Sequence, residues 1–181
     1  PFYRSESRAR TTAMVSLAQF IPIDSGKRNV VRDAWDRLSR VPGGSRLFSR
    51  LIGRLAPYTG TIDAHVTDVS LGHATVVLED RPKVRNHLRC VHAIALVNLA
   101  ELAGNVALSY SMPNDARFIV AGLSIDYLKK ARGTITAKCE SPIVESSARQ
   151  EYEVPVHMFD PQGTLVAQAT LRTLVGPKKS A

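Results

Sequence analysis

NHLRCVHAIALVNLAELAG, residues 86–104, is the most apolar part of the chain, and its reading decides the architecture. The apolar run continues to Leu108 without a proline and is too long for a strand, so the pattern predicts one helix from His92 to Tyr110, ended by MPND (112–115). Three polar residues interrupt it: Asn98, Glu101 and Asn105. At about 100° per residue they fall in one narrow stripe, and every other face is apolar. A carboxylate in so apolar a helix marks either an edge that meets water or a functional site. On pattern alone both readings stand.

Outward from this helix the period changes to two. TIDAHVTDV (61–69) and GHATVVLED (72–80) read as strands joined by a turn at SLGH, with Ile62, Ala64 and Val66 on one side. After the helix come RFIVAGLSIDYL (117–128), TITAKCESPIV (134–144), RQEYEVPVHMF (149–159) and TLVAQATLRTLV (164–175), again with strand patterning. KKARG (129–133) is read as a hairpin turn between the first two of these, and DPQG (160–163) as a type I turn between the last two. Two strands, one buried helix and four more strands predict an α+β fold, an antiparallel sheet layered on a single helix. Before it, NVVRDAWDRLSR (29–40) and SRLFSRLIGRLAPY (45–58) predict two short helices, the second capped by Ser45 and followed by Pro57. The organisation expected is a basic tail with short helices over residues 1–57 and one domain over 58–181.

The chain of 181 residues carries a formal charge of +8, but the charge is uneven. Residues 1–54 hold 11 Lys/Arg against 4 Asp/Glu, and the rest hold 13 against 12. A nearly neutral domain gives no reason to expect nucleic-acid binding. Arg46, Arg50 and Arg54 stack at i, i+4 spacing beside the apolar face formed by Leu47, Phe48, Leu51, Ile52 and Leu55. Packing of that face on the sheet is expected ahead of membrane contact, and a basic membrane-surface module is a third functional class. No uninterrupted apolar run reaches the 18 residues of a membrane-spanning helix. Cys90 and Cys139 form no C-x-x-C pair, so a reducing, cytoplasmic setting is expected. No histidine spacing suggests a metal, and none is expected.

Asn86, His87, Cys90 and His92 gather where the helix begins, at its free backbone N–H groups and positive dipole end, a setting suited to an oxyanion. Glu101 lies about 13 Å further along, too far for direct contact with His92. A site using both needs the chain to fold back or a second subunit.

Asn86 and His92 have the six-residue spacing of the N-x-x-x-x-x-H-G-G motif, with a carboxylate following. Over roughly Thr61–Val175 the chain resembles hotdog-fold thioesterases of the phenylacetate-pathway type, and most closely the branch known as domain of unknown function 4442. LSIDYLKKARGTITAKC (123–139) is similar to that family's second core strand and hairpin. The resemblance implies hydrolysis of an acyl-CoA or acyl-carrier thioester in a homodimer or tetramer, with coenzyme A present only as part of the substrate and no other cofactor. It implies Glu101 as base or nucleophile, backbone N–H groups near Ala93 or Ile94 as oxyanion donors, and Asn86 as the group orienting water or substrate, with His92 completing the motif. Ala93 and Ile94 replace the two glycines, and the Ile94 side chain is placed to narrow the site. A non-catalytic acyl-thioester-binding protein is therefore the alternative.

His87, fourteen residues before Glu101, has a spacing similar to that of hotdog dehydratases acting on hydroxyacyl carriers, but Leu88-Arg89-Cys90 replaces their Phe-Pro-Gly. Dehydration ranks below hydrolysis. His87 and Asn98 are expected near substrate, and Lys129, Lys130 and Arg132 near the phosphates of coenzyme A or in solvent. Cys90 is expected to be small apolar filler rather than a nucleophile.

Overall fold

A computed structural model describes residues 28–178. Helices α1 (Val30–Leu38), α2 (Gly44–Leu55) and the single turn α3 (Pro57–Gly60) precede strands β1 (His65–Ser70) and β2 (His73–Leu78). A 3-10 turn over Pro82–Val84 leads into α4 (Ala93–Ser111). Strands β3 (Ala116–Tyr127), β4 (Ile135–Glu140), β5 (Gln150–Phe159) and β6 (Leu165–Pro177) follow.

All six strands form one antiparallel sheet in the order β1-β2-β4-β5-β6-β3. The sheet curls around α4, which packs against every strand. Register shifts at Val66/Asp68 and Val120/Gly122 help it bend, since a bulge adds local twist. Leu99 and Leu108 on α4 are fully buried, as are Ile135, Met158 and Leu171 on the sheet. Each such side chain contributes about 1.5–3 kcal/mol of burial. Gly104 marks the closest approach: a Cβ there would stand 2.8 Å from Leu171 Cδ2. By length and composition α4 could cross a membrane, but 67% of it is buried inside the fold, where it forms the core.

The expected hairpin at KKARG is not a hairpin. β3 pairs with β6 along its whole length, and β4 pairs with β2 and β5, so residues 128–134 cross between non-adjacent strands. Connection length alone misled because this crossover is pinned at its middle: Ala131 is buried, and its carbonyl accepts a 2.8 Å bond from Val91 N–H at the start of α4. DPQG is a turn as expected, with Gly163 N–H donating to Asp160 O at 3.0 Å. β1 starts at His65, later than expected, because Asp63 takes φ 47° and breaks the extended run.

Ser45 does not cap α2. Gly43, with φ 74°, occupies that position, and Ser45 Oγ instead meets His65 Nε2 at 3.0 Å. Pro57 starts α3 rather than only ending α2, as suits its fixed φ. Asn29 caps α1 by accepting from Arg32 N–H, while its Nδ2 donates to Ser109 O and Met112 O at the far end of α4. Trp35 and Phe48 meet edge-on at 5.0 Å within the same core as α4. The apolar face of α2 is only partly covered: Phe48 is buried, Leu51, Ile52 and Leu55 are half-buried, and Leu47 is exposed.

Candidate functional site

The start of α4 is held by two loops that reach it from different parts of the sheet. Asp80, just past β2, accepts from Arg85 Nε at 2.6 Å and from Gly133 N–H of the crossover at 2.9 Å. Its side chain is only 10% exposed. The Arg85 guanidinium holds the Asp80 carboxyl below the ordinary range; burial opposes this, and the Gly133 amide adds to it. A folded-state pKa below the unfolded value of about 4 gives stability that is complete above that value and is lost as pH falls through the depressed one. Asp80→Asn should therefore lower the melting temperature at neutral pH by about 2–4 °C, with the gap from wild type closing in melts run progressively below pH ~4.

Beyond Asp80 the chain folds into a tight loop. Asn86 Oδ1 accepts from Leu88 N–H at 2.9 Å and, at 3.4 Å each, from Cys90 N–H and Cys90 Sγ. Asn86 N–H donates to Cys90 O at 2.9 Å, and Arg89 takes φ 56° to close the turn. The carbonyl end of Asn86 is thus committed to its own loop. Its Nδ2 has no acceptor among the described residues and is the end able to address a ligand.

His92 is the N-cap of α4. Its backbone N–H donates to Val84 O at 2.7 Å, and its Nδ1 accepts from Ile94 N–H at 3.1 Å, which requires the neutral ring with the proton on Nε2. Of the two expected oxyanion donors, the Ile94 amide is therefore occupied by the cap. The amides of Ala93 and Ala95 have no acceptor among the described residues, and Ala93 is the less buried of the two. The Ala93 N–H remains as a donor at the positive end of the helix.

Tyr127, the last residue of β3, lies across this helical turn, its hydroxyl donating to Ala93 O at 3.2 Å. Burial raises its pKa. Sequence reading missed Tyr127, because its placement depends on the long β3–β6 register rather than on any local motif. Leu88 (48% exposed), Ile94 (52%), Tyr127 (47%) and Leu128 (49%) leave an apolar surface around the helix start. Such surface on a folded chain marks a place that something covers.

Glu101 is half-buried and has no hydrogen-bond or ion-pair partner among the described residues. It stays about 13 Å along the helix from His92, and among the described residues nothing folds back to join them. Asn98, expected near substrate, is buried instead at 3% exposure. Its Nδ2 donates to Tyr58 O of α3 at 3.1 Å, while its Oδ1 has no partner among the described residues. The turn α3, unread in the sequence, covers that position. His87 is exposed in the loop, and Lys129, Lys130 and Arg132 are exposed around buried Ala131. Cys90 is buried, and burial pushes the Cys139 thiol up to about 12, so neither is placed as a nucleophile. Among the described residues no three His, Cys, Asp or Glu side chains converge to hold a metal.

The sequence profile of the family described as domain of unknown function DUF4442 matches residues 44–175. The chain belongs to the DUF4442 family. No curated protein matches it. The structural-genomics protein APC5556 is 31% identical to this DUF4442 chain with a TM-score of 0.70, covering 81% of this chain and 97% of its own. A Pseudomonas aeruginosa protein of unknown function, described as a probable thioesterase, is 18% identical at TM-score 0.64, with coverage of 76% and 97%. A Streptococcus mutans protein solved with acetyl CoA is 20% identical at TM-score 0.54, with coverage of 64% and 90%. These likenesses give the DUF4442 chain the hotdog fold, the single helix wrapped by its sheet.

Proposed function

We propose that this chain hydrolyses acyl thioesters of coenzyme A or an acyl carrier, at sites built between two copies. One observation carries the reading: the Ala93 N–H, without an acceptor among the described residues, at the positive end of α4 and near exposed Leu88, Ile94, Tyr127 and Leu128. A polar donor set in an apolar surface suits a thioester carbonyl with its acyl chain. The carboxylate of Glu101, without a partner among the described residues, supplies the base, from the second copy. The open edge of β3, where Ile119 is 65% exposed, supports assembly into a dimer or tetramer.

In this reading Glu101 takes a proton from water as the oxygen attacks the carbonyl carbon, and Ala93 N–H stabilises the oxyanion. Collapse of the intermediate breaks the C–S bond, and the proton passes from Glu101 to the departing thiolate. Products are a carboxylic acid and a thiol, and Glu101 is again a carboxylate. Asn86 Nδ2 orients the water or the substrate. His92 holds the turn by its cap, and His87 and the Lys129–Arg132 crossover approach the substrate from the rim. The acetyl CoA in the Streptococcus mutans protein supports a coenzyme A thioester, with coenzyme A entering as substrate rather than cofactor. Two buried cysteines without a disulfide fit a cytoplasmic setting.

A second reading has its own observation. The Ile94 amide is engaged by His92, and its side chain stands exposed where the motif has glycine, which favours a protein that binds an acyl thioester without cleaving it. Thiol release from a panel of short, medium, long and aryl acyl-CoAs separates the two. Hydrolysis of at least one class is expected. Saturable binding with no thiol released across the panel would leave the binding reading.

A further inference from the structure

A cleft of about 500 Å³ separates α2 and α3 from the residues leading into β1, and Arg50, Arg54, Ser49, Thr59 and Thr61 stand on its walls over an apolar floor that includes Leu102. A smaller hollow of about 160 Å³, also bordered by Ser49 and Arg50, extends it to Arg46. The two form one groove along α2. Its volume lies within the range of ligand sites. Among the described residues Arg46, Arg50 and Arg54 make no ion pair, and all three are exposed. Asp63 on the facing wall is paired with Arg81 at 3.7 Å, and Glu79 lies by His65, itself in contact with Ser45. Three guanidinium groups one helical turn apart, with hydroxyls beside them, suit a ligand carrying more than one phosphate.

We propose that this groove holds the phosphate-bearing nucleotide end of a coenzyme A thioester. The inference deepens the thioesterase reading and rests on it for the choice of ligand. Leu102, on the groove floor, is the residue after Glu101 on α4, so the groove reaches the same turn of the helix as the carboxylate assigned as base, about 100° round its axis. α3 is fastened to α4 by the Asn98–Tyr58 bond, which fixes the groove wall relative to the helix. A substrate whose thioester meets Glu101 then has its phosphates on α2 of the same copy.

Calorimetric titration of the full chain with coenzyme A, adenosine 3′,5′-bisphosphate and inorganic phosphate tests this without turnover. Wild type should bind the first two, and R50E/R54E should weaken both by about tenfold or more. R50A/R54A should give a smaller loss, separating absent attraction from added repulsion. Both variants should hydrolyse an S-acyl pantetheine, which lacks the nucleotide, within about twofold of wild type. Undiminished coenzyme A affinity in R50E/R54E overturns the proposal, as does failure of wild type to bind the bisphosphate, or binding only to anionic lipid vesicles. If wild type cleaves no thioester but R50E/R54E still loses coenzyme A affinity, the groove stands and the hydrolase reading falls.

Discussion

Glu101→Gln is expected to lower kcat for the best acyl-CoA by roughly 10²–10⁴-fold, with KM within a few-fold of wild type. Glutamine keeps the volume and an acceptor oxygen but cannot take the proton from water. Glu101 has no partner among the described residues, so the substitution breaks no ion pair, and the melting temperature should barely move. That combination distinguishes a base from a structural acid, whose loss would shift stability and leave turnover alone. Asn86→Ala should impair the same step, with a stability cost as well, because Asn86 Oδ1 holds the Leu88 and Cys90 amides. Undiminished turnover in Glu101→Gln would remove Glu101 from the chemistry.

How far the sequence revealed this arrangement depended on the range of the interactions involved. The α4 helix was legible because its apolar density and lack of proline are local properties, and it runs from Ala93 to Ser111 against an expected His92–Tyr110. Strand positions followed from period-two patterning. Pairing did not: β3 and β4 are consecutive with a short connection, yet β5 and β6 lie between them in the sheet. A hydrogen bond from Val91 to Ala131, forty residues apart, fixes that crossover, and no local signal reports it. The same limit hid Tyr127 and the α3 turn over Asn98. The polar stripe was correctly placed on one helix face, but whether each member met solvent depended on α3, so Asn98 became a buried anchor while Glu101 stayed half-open. The capping of Ile94 N–H by His92 was also beyond reach, since histidine Nδ1 is an acceptor in only one of the two neutral tautomers and reaches that amide only in a suitable rotamer.

The separation of Glu101 from the Ala93 amide along one rigid helix carries the sharpest expectation about assembly. If each site takes its base from one copy and its oxyanion donor and Asn86 from the other, two inactive variants should rescue each other. Glu101→Gln and Asn86→Ala chains, mixed in equal amounts and allowed to exchange subunits, form hybrids for about half of the dimers. In each hybrid, one site combines the intact Glu101 of one chain with the intact Asn86 of the other, and the second site carries both lesions. Activity should therefore return to about a quarter of wild type, from a starting point orders of magnitude lower. Sites contained within one chain predict no rescue, because each chain keeps its own lesion whatever its neighbour. Mass-tagged chains establish that hybrids form, and sedimentation at micromolar concentration establishes that the species is at least a dimer. Hybrids that form fully and stay inactive, or a wild-type chain that sediments as a monomer while hydrolysing thioesters, would exclude the shared site. With the shared site gone, Glu101 and the α4 N-terminus could not serve the same reaction, since the rise of the helix holds them about 13 Å apart.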